Sequence, residues 1–118
     1  MGKRVFISQP MKGFTPIEIQ ELRKKCQDAY RAKFGKKAIV EFLGTQPKHF
    51  AKPPTNKEQI EMLSDSLKIL ASADVLVLIK PQGALPNGCF IECQVAKRYG
   101  IEVVTYRPAY ESGWEEFG

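Results

Sequence analysis

Five consecutive aliphatic residues, Val75-Leu76-Val77-Leu78-Ile79, stand between Ala73-Asp74 and a loop of turn residues running from Lys80 to Asn87. A run without polar alternation suits a strand buried on both faces, and therefore a parallel sheet with helices on each side. It is far too short to cross a membrane. The same punctuation repeats along the chain. Val5-Phe6-Ile7 reads as a first strand, closed by Pro10 and Gly13. Thr15-Pro16-Ile17-Glu18 is a capping box with proline at the first helical position. Ile19, Leu22, Cys26, Ala29 and Tyr30 recur at helical spacing to about Phe34, and Gly35 is the expected stop. Ala38 to Leu43 makes a second strand. Residues 44–56, with Gly44, Pro47, Pro53 and Pro54, form the one long loop.

Thr55-Asn56-Lys57-Glu58 offers a second capping box, and Ile60, Leu63, Leu67 and Leu70 define one face of the helix that follows. A third helix is predicted from Gly88 to Tyr99, ended by Gly100, and a fourth strand from Ile101 to Tyr106. The order is β-α-β-α-β-α-β. The chain of 118 residues and 13.3 kDa suits one α/β domain over 1–106, flavodoxin- or Rossmann-like. Right-handed crossovers favour a parallel sheet of about four strands in the order 2-1-3-4, with helices on both faces. Residues 107–118 form an aromatic, acidic tail of no clear period. Tyr106, Tyr110, Trp114 and Phe117 make it a candidate for burial on its own core or at an interface between copies.

Composition narrows the function classes. With 43% hydrophobic and 26% charged residues the chain is not a disordered one. The net charge of +5 is uneven: residues 1–57 hold 13 Lys+Arg against 4 Asp+Glu, and residues 58–118 hold 5 against 9. A basic half can attract phosphorylated molecules or nucleic acid. No arginine-rich tract or interleaved aromatic pattern supports nucleic acid, so a solvated helix face is the simpler reading. Three cysteines with no CxxC pair, and an N-terminus that reads as a strand rather than a secretory signal, lead to the expectation of a reduced, cytoplasmic protein without a membrane segment. Cys89 and Cys93 share a helix face, but no His or further Cys stands at ligand spacing, so no metal is expected. With one lone histidine, His49 in the proline-rich loop, no Ser-His-Asp arrangement can be proposed, and neither GxGxxG nor a Walker motif is present. No cofactor is expected.

In a sheet of this order the ligand crevice opens at the carboxyl ends of strands 1 and 3. Two loops are thereby singled out. The first, Ser8-Gln9-Pro10-Met11-Lys12-Gly13, offers a hydroxyl, a carboxamide and backbone N–H groups near a helix N-terminus. The second leads through Pro86-Asn87-Gly88 into Cys89-Phe90-Ile91-Glu92. Asn87-Gly88 reads as a turn, or as an N-cap with a close-approach glycine. Glu92, set among apolar residues, is either a surface partner of the helix dipole or a carboxylate aimed into the crevice as nucleophile or base.

Three segments together resemble the nucleoside 2-deoxyribosyltransferase-like superfamily, and within it a small branch of bacterial and phage genomes. They are Ile7-Ser8-Gln9-Pro10-Met11-Lys12-Gly13, Ser66-x7-Asp74 and Asn87-Gly88-Cys89-x-x-Glu92, and the similarity spans about residues 3–106. The resemblance implies chemistry at an N-glycosidic bond. The glutamate at the Glu92 position would attack the anomeric carbon, and a second base or water would then collect the sugar. It also implies a substrate site of Ser8, Gln9, Pro10, Met11, Gly13, Ser66, Asn87 and Gly88, a nucleoside or nucleotide ligand, and a homo-oligomer built on a dimer. Where transferases carry aspartate this chain has Ser66. Pro86 stands in place of an acid before the glutamate, and Phe6 in place of a tyrosine. Two functions therefore stand side by side: an N-glycosidase or deoxyribosyltransferase, and a non-catalytic protein of the same fold that binds a nucleotide, for instance to sequester a signal derived from one.

Overall fold

The computed structural model describes residues 2–11, 13–34, 39–44, 52–81, 83–108 and 114–116. Its elements are β1 (Lys3–Ser8), α1 (Pro16–Phe34), β2 (Val40–Leu43), α2 (Asn56–Leu70), β3 (Val75–Ile79), α3 (Asn87–Arg98), β4 (Glu102–Tyr106) and β5 (Trp114–Glu116). The strands form one sheet in the order β2-β1-β3-β4-β5. The first four are parallel, in the expected order 2-1-3-4, and β5 runs antiparallel to β4. Gly35, Ala38, Pro47 and Lys12 fall outside the described residues, as do Tyr110 and Phe117. No described helix is long and apolar enough to cross a membrane.

Local chemistry explains the element ends. Both capping boxes form: the backbone N–H of Glu18 donates to Thr15 Oγ1 and that of Thr15 to Glu18 Oε1, and Thr55 and Glu58 repeat the pattern. The end of α3 is a left-handed glycine turn. Gly100 has φ +75, its N–H reaches Lys97 O, and the N–H of Ile101 donates to Ala96 O at 2.8 Å.

The pleat sorts the core into two layers. Val5, Ile7, Val75, Val77, Ile79, Val104 and Tyr106 face α1 and pack with Cys26 and Tyr30. Phe6, Leu76, Leu78 and Val103 face the other way, against Leu70 of α2 and Cys89, Cys93 and Ala96 of α3. All five residues of β3 are buried, as its apolar run requires. At the opposite, amino-terminal edge of the sheet, Asp74 Oδ2 accepts the N–H of Arg4 at 2.9 Å and its own N–H donates to Arg4 O. Asp74 is thus a strand-pairing residue, far along the sheet from the carboxyl edge.

Ser8 aligns with Leu78, and Leu78 with Thr105, so the three form one row across the sheet. Thr105 is fully buried, and its hydroxyl has no partner among the described residues. An unmet buried hydroxyl costs about 1–3 kcal/mol, and valine has the same shape without it. Thr105→Val is expected to raise Tm by several degrees, measured by thermal unfolding; a lower Tm would show that the hydroxyl is satisfied.

Candidate functional site

The candidate site lies where β1 ends and α3 begins. By the alternation along β1, Ser8 shares the face of Phe6 and points toward α2 and α3. On α3 the buried positions are Cys89, Glu92, Cys93 and Ala96, a spacing of three and four that marks one inward stripe. Glu92 lies on that stripe in the second helical turn and is 7% exposed. Of the two sequence readings for Glu92, the structure therefore has the inward one, and the first turn of α3 carries no acid at all.

Ser8 Oγ donates to Glu92 Oε1 at 2.7 Å, across 84 residues of sequence. Ser66, half-buried on α2, also hydrogen-bonds the carboxyl. Three elements thus converge on one carboxyl group. Burial pushes the Glu92 carboxyl above the usual carboxylate range, and the two serine hydroxyls pull it back in part, because they stabilise the charged form. The Cys89 thiol stands beside the same group and bonds Ser8. A desolvated carboxylate held by neutral donors can act as a nucleophile toward an electrophilic carbon. No cluster of His, Cys, Asp and Glu fit to hold a metal occurs among the described residues.

The remaining sequence candidates divide. Gln9 follows Ser8 but turns to the other face: Nε2 donates to Ile19 O at 2.9 Å, and Oε1 accepts from Arg23 Nε at 3.1 Å. Its carboxamide stitches the loop to α1. Pro10 is buried and Met11 half-buried. Met11 O accepts the N–H of Phe14, and the turn between them needs Gly13 at φ +87, a backbone value that other residues rarely adopt. Asn87 is exposed and is the first residue of α3 rather than its cap; Pro86 occupies the cap position and its carbonyl accepts the first helical bond, from Phe90. A Cβ on Gly88 would meet nothing within 4 Å, so Gly88 makes no close approach inside the chain. Sequence reasoning missed Arg23. Its signal was the spacing Ile19, Arg23, Cys26, Tyr30, a cation on the inward stripe of α1.

Burial raises the thiols of Cys89 to about 11 and of Cys26 and Cys93 to about 12. All three are free and buried. At pH 7.5 they are expected to react with a disulfide reagent such as Ellman's only after unfolding, because the thiolate is the nucleophile. Rapid labelling of the native protein would contradict this.

No family model and no curated protein matches the sequence. Solved structures do match by fold. A 2-deoxyribosyltransferase from the psychrotolerant bacterium Bacillus psychrosaccharolyticus superposes with a TM-score of 0.61 over 92% of this chain and 74% of its own, at 13% identity. A conserved protein from Enterococcus faecalis V583 gives a TM-score of 0.61 over 92% of this chain and 66% of its own, at 15% identity. The chain thus has a nucleoside 2-deoxyribosyltransferase-like fold.

Proposed function

We propose that this protein cleaves or transfers at the N-glycosidic bond of a nucleoside or nucleotide, with Glu92 as the nucleophile. One observation carries the reading: a buried carboxyl at the carboxyl edge of β1 and β3, gripped by Ser8 at 2.7 Å. The crevice lies at the switch point of a parallel sheet, where α/β folds take their ligands.

In this reading the ionised Glu92 attacks the anomeric carbon of the sugar. A carbon–oxygen ester bond forms as the carbon–nitrogen bond breaks, and the bonding pair leaves with the base, which takes up a proton from water. Water, or a second base, then attacks the same carbon and releases Glu92 as carboxylate. The Ser8 and Ser66 hydroxyls orient the carboxylate and favour its ionised form. The β1–α1 loop, tied to α1 through Gln9, forms the opposite wall.

The test is incubation with a panel of nucleosides, nucleoside monophosphates and NAD, reading free base by chromatography, with titration calorimetry on the same panel. Base release that depends on Glu92 supports the enzyme. Binding without release by the intact protein selects the second reading, a nucleotide-binding protein, which the replacement of acids by Ser66 and Pro86 favours. Neither binding nor release would remove both.

A further inference from the structure

Cys89 stands within the hydrogen-bonded group around Glu92, and the proposed reaction gives it no task. It is 4% exposed and lies three residues before Glu92 on the inward stripe of α3. Residues so spaced share one face, about 5–6 Å apart at Cβ, and helical side chains lean toward the N-terminus. The Glu92 side chain therefore lies back over the turn that carries Cys89. Ser8 reaches both: its Oγ donates to Glu92 Oε1 at 2.7 Å, and it is hydrogen-bonded to the Cys89 thiol. We propose that Cys89 is a positioning residue for Glu92: its S–H donates to Ser8 Oγ and thereby commits the one Ser8 proton to the carboxylate. The inference deepens the proposed reaction and rests on it for its effect on rate.

Proton inventory sets the direction of the chain. A serine hydroxyl has one proton to give and two lone pairs to receive with. Ser8 is 1% exposed, and its proton goes to Glu92. Its bond with Cys89 must then run the other way, from sulfur to oxygen. The thiol has the proton to give, because burial raises it to about 11. Around this chain, β1 and α2 bring the Ser8 and Ser66 hydroxyls to the carboxyl, and α3 adds the Cys93 thiol, on which Lys97 acts. The sheet beneath presents Phe6, Leu76, Leu78 and Val103, and Thr105, whose hydroxyl bonds none of them. Sulfur suits the place. A thiol donates weakly and accepts weakly, so it hardly draws the Ser8 proton away from a carboxylate, whereas a second hydroxyl would accept as readily as it gave. When Glu92 is protonated the chain reverses: the carboxyl O–H donates to Ser8, and Ser8 to sulfur. Because sulfur accepts poorly, that arrangement is the weaker of the two, and the ionised carboxylate is favoured.

The test reads the S–H stretching band, which lies in an infrared window clear of other protein absorption and shifts with hydrogen bonding. The band lost in Cys89→Ser identifies Cys89 in the intact chain. It is expected to move to higher frequency in Ser8→Ala, where the thiol loses its acceptor. It is also expected to shift between about pH 4 and 8 as the chain reverses, and Glu92→Gln is expected to abolish that shift. In kcat/KM, the acid limb is expected to move up by about half a pH unit in Cys89→Ala, the size of one weak bond acting through another. It is expected to lie between the two in Cys89→Ser. Cys93→Ala, which removes a buried thiol from the same helix, is expected to leave the limb in place. A Cys89 band indifferent to Ser8→Ala and to Glu92→Gln overturns the proposal whether or not the protein releases base, and so does a limb that Cys89→Ala leaves unmoved. A coupled band in a protein that releases no base upholds the chain and removes the reaction alone.

Discussion

Glu92→Gln is expected to lower base release by roughly 10⁴-fold or more while the fold persists, because it removes the proposed nucleophile and nearly keeps its shape. Glutamine still offers an oxygen to Ser8, so the bond that ties α3 to β1 survives. The same variant has a second signature, of opposite sign, in stability. Burial raises the Glu92 carboxyl above its ordinary value, so the folded state favours the protonated form. A group of this kind gives its full stability below the unfolded value, about 4.3 for glutamate, and loses it as pH rises through the folded value. As pH rises the intact protein therefore carries a growing cost of ionising a desolvated carboxylate. Glutamine does not. The variant is expected to melt higher than the parent at pH 7, with the difference shrinking toward pH 4. Activity assays and melts across pH 4–8 check both halves. Undiminished turnover would sink the nucleophile, and a lower Tm at neutral pH would sink the account of its burial.

Most of the architecture was legible because its signals are local. Thr15 with Glu18 and Thr55 with Glu58 fix two helix starts through bonds three residues apart. Val75 to Ile79 fixes the central strand, since five aliphatic residues without alternation must be covered on both sides. From the alternation of strands and helices the order 2-1-3-4 follows with little freedom. Strand β5 escaped because nothing in Trp114-Glu115-Glu116 alternates. Its strand character comes from pairing with Val104 to Tyr106, which is a tertiary fact. The start of α3 was misread for a related reason. Asparagine is a strong capping residue, yet Asn87 caps nothing here, and the helix begins one residue earlier than the glycine suggested.

The site was legible in part. Its location followed from topology, and Glu92 stood out as an acid on an apolar stripe. Whether that stripe faced inward depended on Cys89, Cys93 and Ala96 meeting the sheet, and on Ser8 arriving from a strand 84 residues away. Gln9 shows the converse. In the sequence it is one more polar residue in a crevice loop. In the fold an odd step along β1 turns it to the far face, where Ile19 and Arg23 occupy both ends of its amide. Period-two alternation does carry that information, but only while the residue continues the strand.

Ser8→Ala separates the two ways in which Ser8 can serve the proposed reaction. The hydroxyl donates to a charged acceptor at 2.7 Å, and such bonds contribute about 1.5–3 kcal/mol. Its loss is expected to lower kcat/KM about 10- to 100-fold near neutral pH. The pH profile tells more. Because Ser8 stabilises the ionised form of Glu92, removing it leaves burial less opposed, and the carboxyl titrates higher still. The acid limb of the kcat/KM profile is therefore expected to move to higher pH in Ser8→Ala, and the deficit to narrow as pH rises above that limb. Ser8→Thr, which keeps the hydroxyl, is expected to return the limb toward its original position. A uniform loss with the limb unmoved would mean that Ser8 contacts the substrate rather than the carboxylate, and an unchanged profile at full activity would take Ser8 out of the site. The row Ser8, Leu78, Thr105 favours the first outcome, since it points the hydroxyl under α3 and at Glu92 rather than out of the crevice.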